Sequence, residues 1–188
     1  MTDTNAPTGT RIVVLVGSLR SGSVNRRLAE QLAGDAPAGL DLEIVEGLAE
    51  LPFYNEDLDG DEVPAPAQRL RDRVAAADRV LVVTPEYNGT MPAVLKNAID
   101  WLSRPYGAGA LSGKPLAVLG TTPTPYGGKW AHADVRRSAA VAGAVVVEDA
   151  TVSQSSLEVD VLADAAITAR VLGALQTLAD HDQEASAA

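Results

Sequence analysis

The densest chemistry in the chain lies in residues 17–25, Gly-Ser-Leu-Arg-Ser-Gly-Ser-Val-Asn. Small glycines stand there beside the hydroxyls of Ser18, Ser21 and Ser23, the guanidinium of Arg20 and the amide of Asn25. Ahead of them, residues 12–16 are apolar and mostly β-branched, the pattern of a strand buried on both faces. Behind them, Leu28 and Leu32 recur four residues apart with Ala29 and Ala33 alongside, a helix face. Ser21 and Ser23 both suit the helix cap. A strand, a short Gly/Ser loop and a helix N-terminus together make an anion site, because the first-turn N–H groups lack intrahelical partners and the dipole favours negative charge. Arg20 adds a planar donor fork suited to phosphate, and Asn25 adds an amide donor. An ordinary βα turn with the same composition is the alternative.

Two better-known phosphate loops are excluded. Gly17 and Gly22 have P-loop spacing, but Ser23 stands where that loop needs Lys. The dinucleotide fingerprint G-x-G-x-x-G fails because residue 19 is Leu. A single phosphate, gripped by hydroxyls, an amide and Arg20, is the expected ligand group. Two more unusual loops follow. Residues 84–92, Thr-Pro-Glu-Tyr-Asn-Gly-Thr-Met-Pro, form a stiff turn whose backbone groups could address a planar heterocycle and whose Tyr87 could cover a ring. Residues 120–128 hold three Thr, two Pro and the Gly127-Gly128 pair, and could lie along one edge of that ring. Each also reads as a plain surface turn. His132 is expected to be a satisfied helix histidine, and Glu86 a solvated or interface carboxylate rather than a general base. With no carboxylate pair, Ser-His-Asp set or metal cluster in view, redox chemistry would have to come from a bound cofactor.

Composition narrows the field further. A chain of 188 residues, 46% hydrophobic, suits one domain with a sizeable core. A net charge of −10 argues against a broad nucleic-acid or anionic-membrane surface. No Cys and two His leave no thiol chemistry and little for a metal site. No signal pattern opens the chain, and the longest apolar stretch, near residues 139–147, is too short to span a bilayer. A cytoplasmic protein is expected, with residues 1–10 as a flexible leader, 11–180 as a single domain and 181–188 as a flexible tail.

Strand patterns at residues 12–16, 41–46, 80–83, 115–119 and 144–147 alternate with helical patterns at 63–77, 92–103, 130–142 and 159–179. That alternation implies an α/β fold, a parallel sheet covered on both faces. Five strands fit the flavodoxin-like order 2-1-3-4-5, a three-layer sandwich. Its switch point would put the loops after strands 1, 3 and 4 side by side.

These loops resemble those of a known family. Gly17-Ser-Leu-Arg-x-x-Ser-x-Asn25, then Pro85-Glu-Tyr-Asn-Gly-x-x-Pro92, then Leu95-Lys-Asn-Ala-Ile-Asp-Trp-Leu-Ser-Arg-Pro105 are similar, in this order, to motifs of the NADPH-dependent FMN reductases. That family includes bacterial quinone, chromate and azo-dye reductases, and the resemblance spans about residues 11 to 150. It implies an FMN phosphate site at Gly17, Ser18, Arg20, Ser23 and Asn25. It implies ring contacts from Pro85, Glu86, Tyr87, Asn88 and Gly89, and a flank from Thr122, Gly127 and Gly128. After the Gly pair the family often has a basic residue where this chain has Trp130, beside Lys129.

The expectation is therefore an FMN-dependent oxidoreductase that takes hydride from NADPH or NADH and passes it to a quinone-like or other small acceptor by a ping-pong mechanism. The flavin carries the chemistry, so no side chain is expected to be catalytic and no metal is needed. A flavodoxin-type electron carrier is the alternative, although the T-x-T-G-N-T phosphate loop of flavodoxins is missing. A receiver-type signalling domain would need acidic residues where Gly17-Ser18 and Thr84-Pro85 stand. A homodimer, or a dimer of dimers, is expected because the apolar positions of residues 91–102 exceed one core-facing stripe. Trp101 and Leu102 would otherwise expose a patch.

Overall fold

A computed structural model describes residues 9–181 of the chain. Its sheet is parallel throughout, built from β1 (Thr10–Val16), β2 (Leu40–Ile44), β3 (Arg79–Val83), β4 (Pro115–Thr122), β5 (Val145–Val146) and β6 (Val152–Ser155). The order is β2-β1-β3-β4-β5, with β6 also paired to β4. This is the flavodoxin-like arrangement expected from the alternation of patterns. The apolar runs explain it. In β1, Val13 and Leu15 face one core while Ile12, Val14 and Val16 face the other. In β3, Val80 and Val82 part from Leu81 and Val83 in the same way. Strands apolar on both faces need a helical layer on each. Helices α2 (Ala65–Ala76), α3 (Ala93–Leu102) and α4 (Lys129–Val141) supply one layer, and α1 (Val24–Gly34) and α5 (Ala165–Ala179) the other.

The structure corrects several expectations. The fifth strand is split in two. β5 pairs with Pro115 and Leu116, a short 3-10 turn at Glu148–Ala150 intervenes, and β6 pairs with residues 119–122. Helix α5 begins at Ala165 rather than 159, because the Asp164 carboxylate accepts from the N–H groups of Ala166 and Ile167 and caps it. Strand β1 starts at Thr10, inside the expected leader, and Arg79 donates to the carbonyl of His181, inside the expected tail. The rest of those two segments, residues 1–8 and 182–188, lies outside the described residues.

Trp101 and Leu102 form no exposed patch: both are fully buried. Residues 51–54 cover this side of α3. Pro52 O accepts from Trp101 Nε1 at 2.8 Å and from Asn97 Nδ2 at 3.0 Å, and Tyr54 N donates to Asn97 Oδ1 at 2.8 Å. The Tyr54 ring meets Trp101 edge-on at 5.0 Å. The broad apolar face of α3 is thus satisfied within one chain.

Candidate functional site

Thr84, fully buried just beyond β3, is the point around which three loops close. Gly17 N donates to Val83 O, and Thr84 N donates to Leu119 O. A Cβ on Gly17 would lie 2.2 Å from Thr84 Oγ1, and one on Gly120 would lie 2.1 Å from Thr84 O. Only glycine permits approaches this close. The third contact is His132, fully buried on α4. Its Nε2 stands 3.1 Å from Thr84 O and its Nδ1 2.7 Å from Ser153 Oγ. A carbonyl only accepts, so Nε2 carries the proton and Nδ1 accepts from the Ser153 hydroxyl in the neutral ring. Burial pushes the imidazole pKa below its ordinary value. His132 is therefore the satisfied helix histidine that was expected, and it pins α4 and β6 to the end of β3.

The loop after β1 leads into α1 through Ser23, whose buried hydroxyl accepts from Arg26 N at 3.1 Å and caps the helix. The preceding turn closes through Ser23 N donating to Arg20 O. Among the described residues, no protein acceptor meets the N–H groups of Val24 and Asn25. Arg20, Ser21 and Gly22 around them are exposed, and Ser18 is half-buried. Asn25, expected as an amide donor, also makes a contact within the fold. Its Nδ2 donates to Thr121 O and its Oδ1 accepts from Thr121 N, both at 2.9 Å and buried. The side chain ties the first turn of α1 to the end of β4.

In the loop after β3, Pro85 is buried and residues 87–90 form a tight hairpin. Tyr87 and Thr90 exchange both backbone hydrogen bonds, at 3.0 and 3.1 Å. The two central residues, Asn88 and Gly89, have φ of 52° and 76°, the left-handed values that Asn-Gly adopts readily. Of the two expected readings of Glu86, solvated or interface carboxylate, the structure shows the interface one. Glu86 Oε2 accepts from Trp130 N at 3.0 Å and Ala131 N at 3.1 Å, capping α4 from another loop. In the loop after β4, the Thr122 and Thr124 hydroxyls are 2.9 Å apart. Gly127 and Gly128 are buried. A Cβ on Gly127 would collide with the Gln154 backbone of β6 at 2.8 Å, so this glycine packs inward against a strand. The Thr121 hydroxyl is buried with no hydrogen-bond partner among the described residues.

One cluster was missed as a cluster. Tyr126 and Trp130 lie 4.5 Å apart between ring centroids, and Lys129 Nζ sits 4.9 and 5.0 Å from the two rings. Its sequence signal was the run Tyr-Gly-Gly-Lys-Trp, two aromatics and a cation around a glycine turn.

Charge also converges on these loops. Most Lys and Arg side chains are taken by carboxylates, as Arg71 is by Asp59, or by carbonyls, as Arg79 is by Leu178 and His181. Arg20, Arg27 and Lys129 make neither an ion pair nor a side-chain hydrogen bond among the described residues. Arg20 lies on the loop after β1, Lys129 is the first residue of α4 just beyond the loop after β4, and Arg27 is on the exposed side of the first turns of α1. In a chain of net charge −10, un-neutralised cations gathered at one end of the sheet favour an anionic ligand there. Among the described residues, no three His, Cys, Asp or Glu side chains are grouped to hold a metal ion.

Comparison with known proteins agrees with this architecture. The family model for NADPH-dependent FMN reductase matches residues 10–157. A quinone reductase of Pseudomonas putida is 50% identical over 127 residues, 68% of each chain. A 2-hydroxy-1,4-benzoquinone reductase of a Burkholderia species is 47% identical over 112 residues, 60% of each. Among solved structures, a flavoenzyme NAD(P)H:(acceptor) oxidoreductase of Paracoccus denitrificans superposes with a TM-score of 0.79 at 35% identity, covering 91% of this chain and 96% of that one. With the loops, the sheet order and these relatives in agreement, the chain belongs to the NADPH-dependent FMN reductase family.

Proposed function

We propose that the three loops hold FMN, with its phosphate at the N-terminus of α1 and its ring between the loops after β3 and β4. The donor set suits the group: the free N–H groups of Val24 and Asn25, the hydroxyls of Ser18 and Ser23, and the unpaired guanidinium of Arg20. That un-neutralised Arg20 beside an open helix N-terminus is the observation that carries the assignment. Pro85, Glu86, Tyr87, Asn88 and Gly89 form one border of the ring site, and Thr122, Gly127 and Gly128 the other. Gly17 acts beneath them, through its contact with Thr84, and Asn25 acts by holding α1 to β4. When bound, FMN supplies hydride transfer between a nicotinamide and an acceptor. The chain's own groups orient and enclose: the Asn88-Gly89 hairpin and the Glu86 cap fix the loops.

NADPH or NADH is the donor, and a quinone is the acceptor class, a reading supported by the quinone reductases of Pseudomonas and Burkholderia among the relatives. Donor and acceptor take turns at one open site, which gives ping-pong kinetics. The protein works in the cytoplasm; among the described residues no helix is long and apolar enough to cross a membrane. A homodimer, or a dimer of dimers, forms along an open groove of about 650 Å³ between α3 and α4, where Tyr106 and Val141 are exposed. Light scattering showing a monomer at assay concentration would remove that assembly.

The test of function is NADPH and NADH oxidation by FMN-reconstituted protein against quinones, chromate, azo dyes, free flavin and oxygen. Turnover with a quinone and parallel double-reciprocal lines are expected. A colourless protein that binds no flavin at micromolar concentration would overturn the proposal. Flavin binding without nicotinamide oxidation would make the chain an electron carrier.

A further inference from the structure

The turn between β4 and α4 carries a second structured surface that FMN binding alone does not explain. Tyr126 and Trp130 keep 50% and 44% of their surface exposed in a chain that buries its other Trp completely. Their rings touch at a tilt of 50° rather than stacking flat, and each keeps much of its surface open. Lys129 Nζ stands about equally far from both centroids and has no carboxylate partner among the described residues. The turn beneath is fixed: Lys129 N donates to Tyr126 O, Gly127 N donates to Thr124 O, and Gly128 takes the left-handed conformation at the helix cap. Glu86 then holds Trp130 N and Ala131 N, so the platform is tied to the loop bearing Tyr87.

We propose that Tyr126, Lys129 and Trp130 form a seat for a planar aromatic ring bearing a negative charge, presented at the rim of the flavin site. The inference rests on the site assigned above and extends it to the second ligand. An exposed ring offers a stacking face worth far more to a flat aromatic ligand than to water. An ammonium held over those rings, with no anion of its own, supplies the charge partner. Two ligands of the reaction have this chemistry: the adenosine phosphate end of the nicotinamide nucleotide, and a quinone carrying an acidic substituent.

The test uses FMN-loaded protein and two non-reacting probes, adenosine 2′,5′-bisphosphate and naphthalene-2-sulfonate, with 2-naphthol as the neutral control. Binding is read by titration calorimetry and by quenching of the Trp130 emission, identified by its loss in Trp130→Phe. At least one anionic probe should bind and quench. Trp130→Ala should weaken that probe about tenfold. Lys129→Ala should weaken it about threefold at low salt and leave 2-naphthol unchanged. Binding of the bisphosphate in competition with NADPH assigns the seat to the donor; binding of the sulfonate alone assigns it to the acceptor. The proposal is overturned if neither anionic probe binds, or if their affinities survive both substitutions. It is also overturned if Trp130→Ala lowers only the melting temperature, which is the mark of a structural tryptophan. FMN titration of the same wild-type sample separates the two levels. Normal flavin binding without probe binding removes this seat alone, and absent flavin binding removes the site itself.

Discussion

The chain builds two clusters of Tyr, Trp and a cation, and treats them in opposite ways. In the first, Trp101 is fully buried, Tyr54 meets it edge-on, and the Arg71 guanidinium lies 5.4 Å from its ring centroid. Every polar handle there has a partner. Arg71 forms a two-pronged pair with Asp59 at 2.7 and 2.8 Å and also donates to Trp101 O, and the indole N–H donates to Pro52 O. Hydrogen bonding from Arg71, reinforced by its charge, holds the Asp59 carboxyl below its ordinary pKa. In the second, Trp130 and Tyr126 stay half-exposed and Lys129 has no carboxylate. The same three residue types make a closed joint in one place and an open surface in the other. What separates them is whether the chain spends its own groups on the cation and the indole. Where it does, the cluster stabilises; where it does not, a ligand can supply the missing partner.

The sharpest way to break this contrast is to remove each tryptophan. Trp101→Ala should destabilise the fold by about 4 kcal/mol, from lost burial and the loss of one of the two hydrogen bonds at Pro52 O. Trp130→Ala should change stability by no more than about 0.5 kcal/mol, as a surface substitution does. Urea unfolding of both variants measures the difference, and equal losses would erase the distinction. The same logic separates Asn25 from Arg20. Asn25→Ala leaves the buried Thr121 N–H and C=O without partners, so a loss of about 2–4 kcal/mol in stability is expected. FMN and riboflavin affinity should then fall together, which paired flavin titrations would show.

Glu86→Ala removes a cap from α4 and should cost about 1 kcal/mol, with Glu86→Gln retaining part of it. A loss of activity without any loss of stability would point instead to a chemical role. The smallest expected effect is on the pH dependence. His132 is buried with its native pKa below the ordinary 6.5, whereas the unfolded chain has the ordinary value. The unfolded state therefore binds more protons just below pH 6.5. The contribution of the neutral ring is complete above that pH and declines as the pH falls toward the native value. Urea midpoints between pH 8 and 5.5 should fall in the wild type and fall less in His132→Gln. Equal slopes would show that the ring is not the titrating group.

The sheet was legible because its strands are apolar on both faces, and residues 12–16 and 80–83 needed no partner to be recognised. The Ser23 cap was legible for a similar reason, since its acceptor role acts three residues away on Arg26 N. What could not be read were roles fixed by distant partners. Asn25 meets Thr121, 96 residues away in sequence, and Glu86 meets Trp130, 44 residues away. Local composition made both look like ligand or solvent groups. Trp101 was misjudged because helical spacing reveals how wide an apolar face is, while the cover from residues 51–54 arrives through a loop with no periodicity. β6 was invisible for a third reason. Its Ser-Gln-Ser sequence is polar, and it is a strand only because β4 has an open edge beside it.

The central claim is that the phosphate of FMN sits on the loop after β1 with Arg20 as its charged partner. Calorimetric titration of FMN and riboflavin into wild-type and Arg20→Ala apoprotein tests it most directly, because the two flavins differ only by that phosphate. Arg20→Ala should weaken FMN roughly thirtyfold and change riboflavin by less than about threefold, with the melting temperature unmoved. An unchanged FMN affinity, or an equal loss for both flavins, would contradict the assignment.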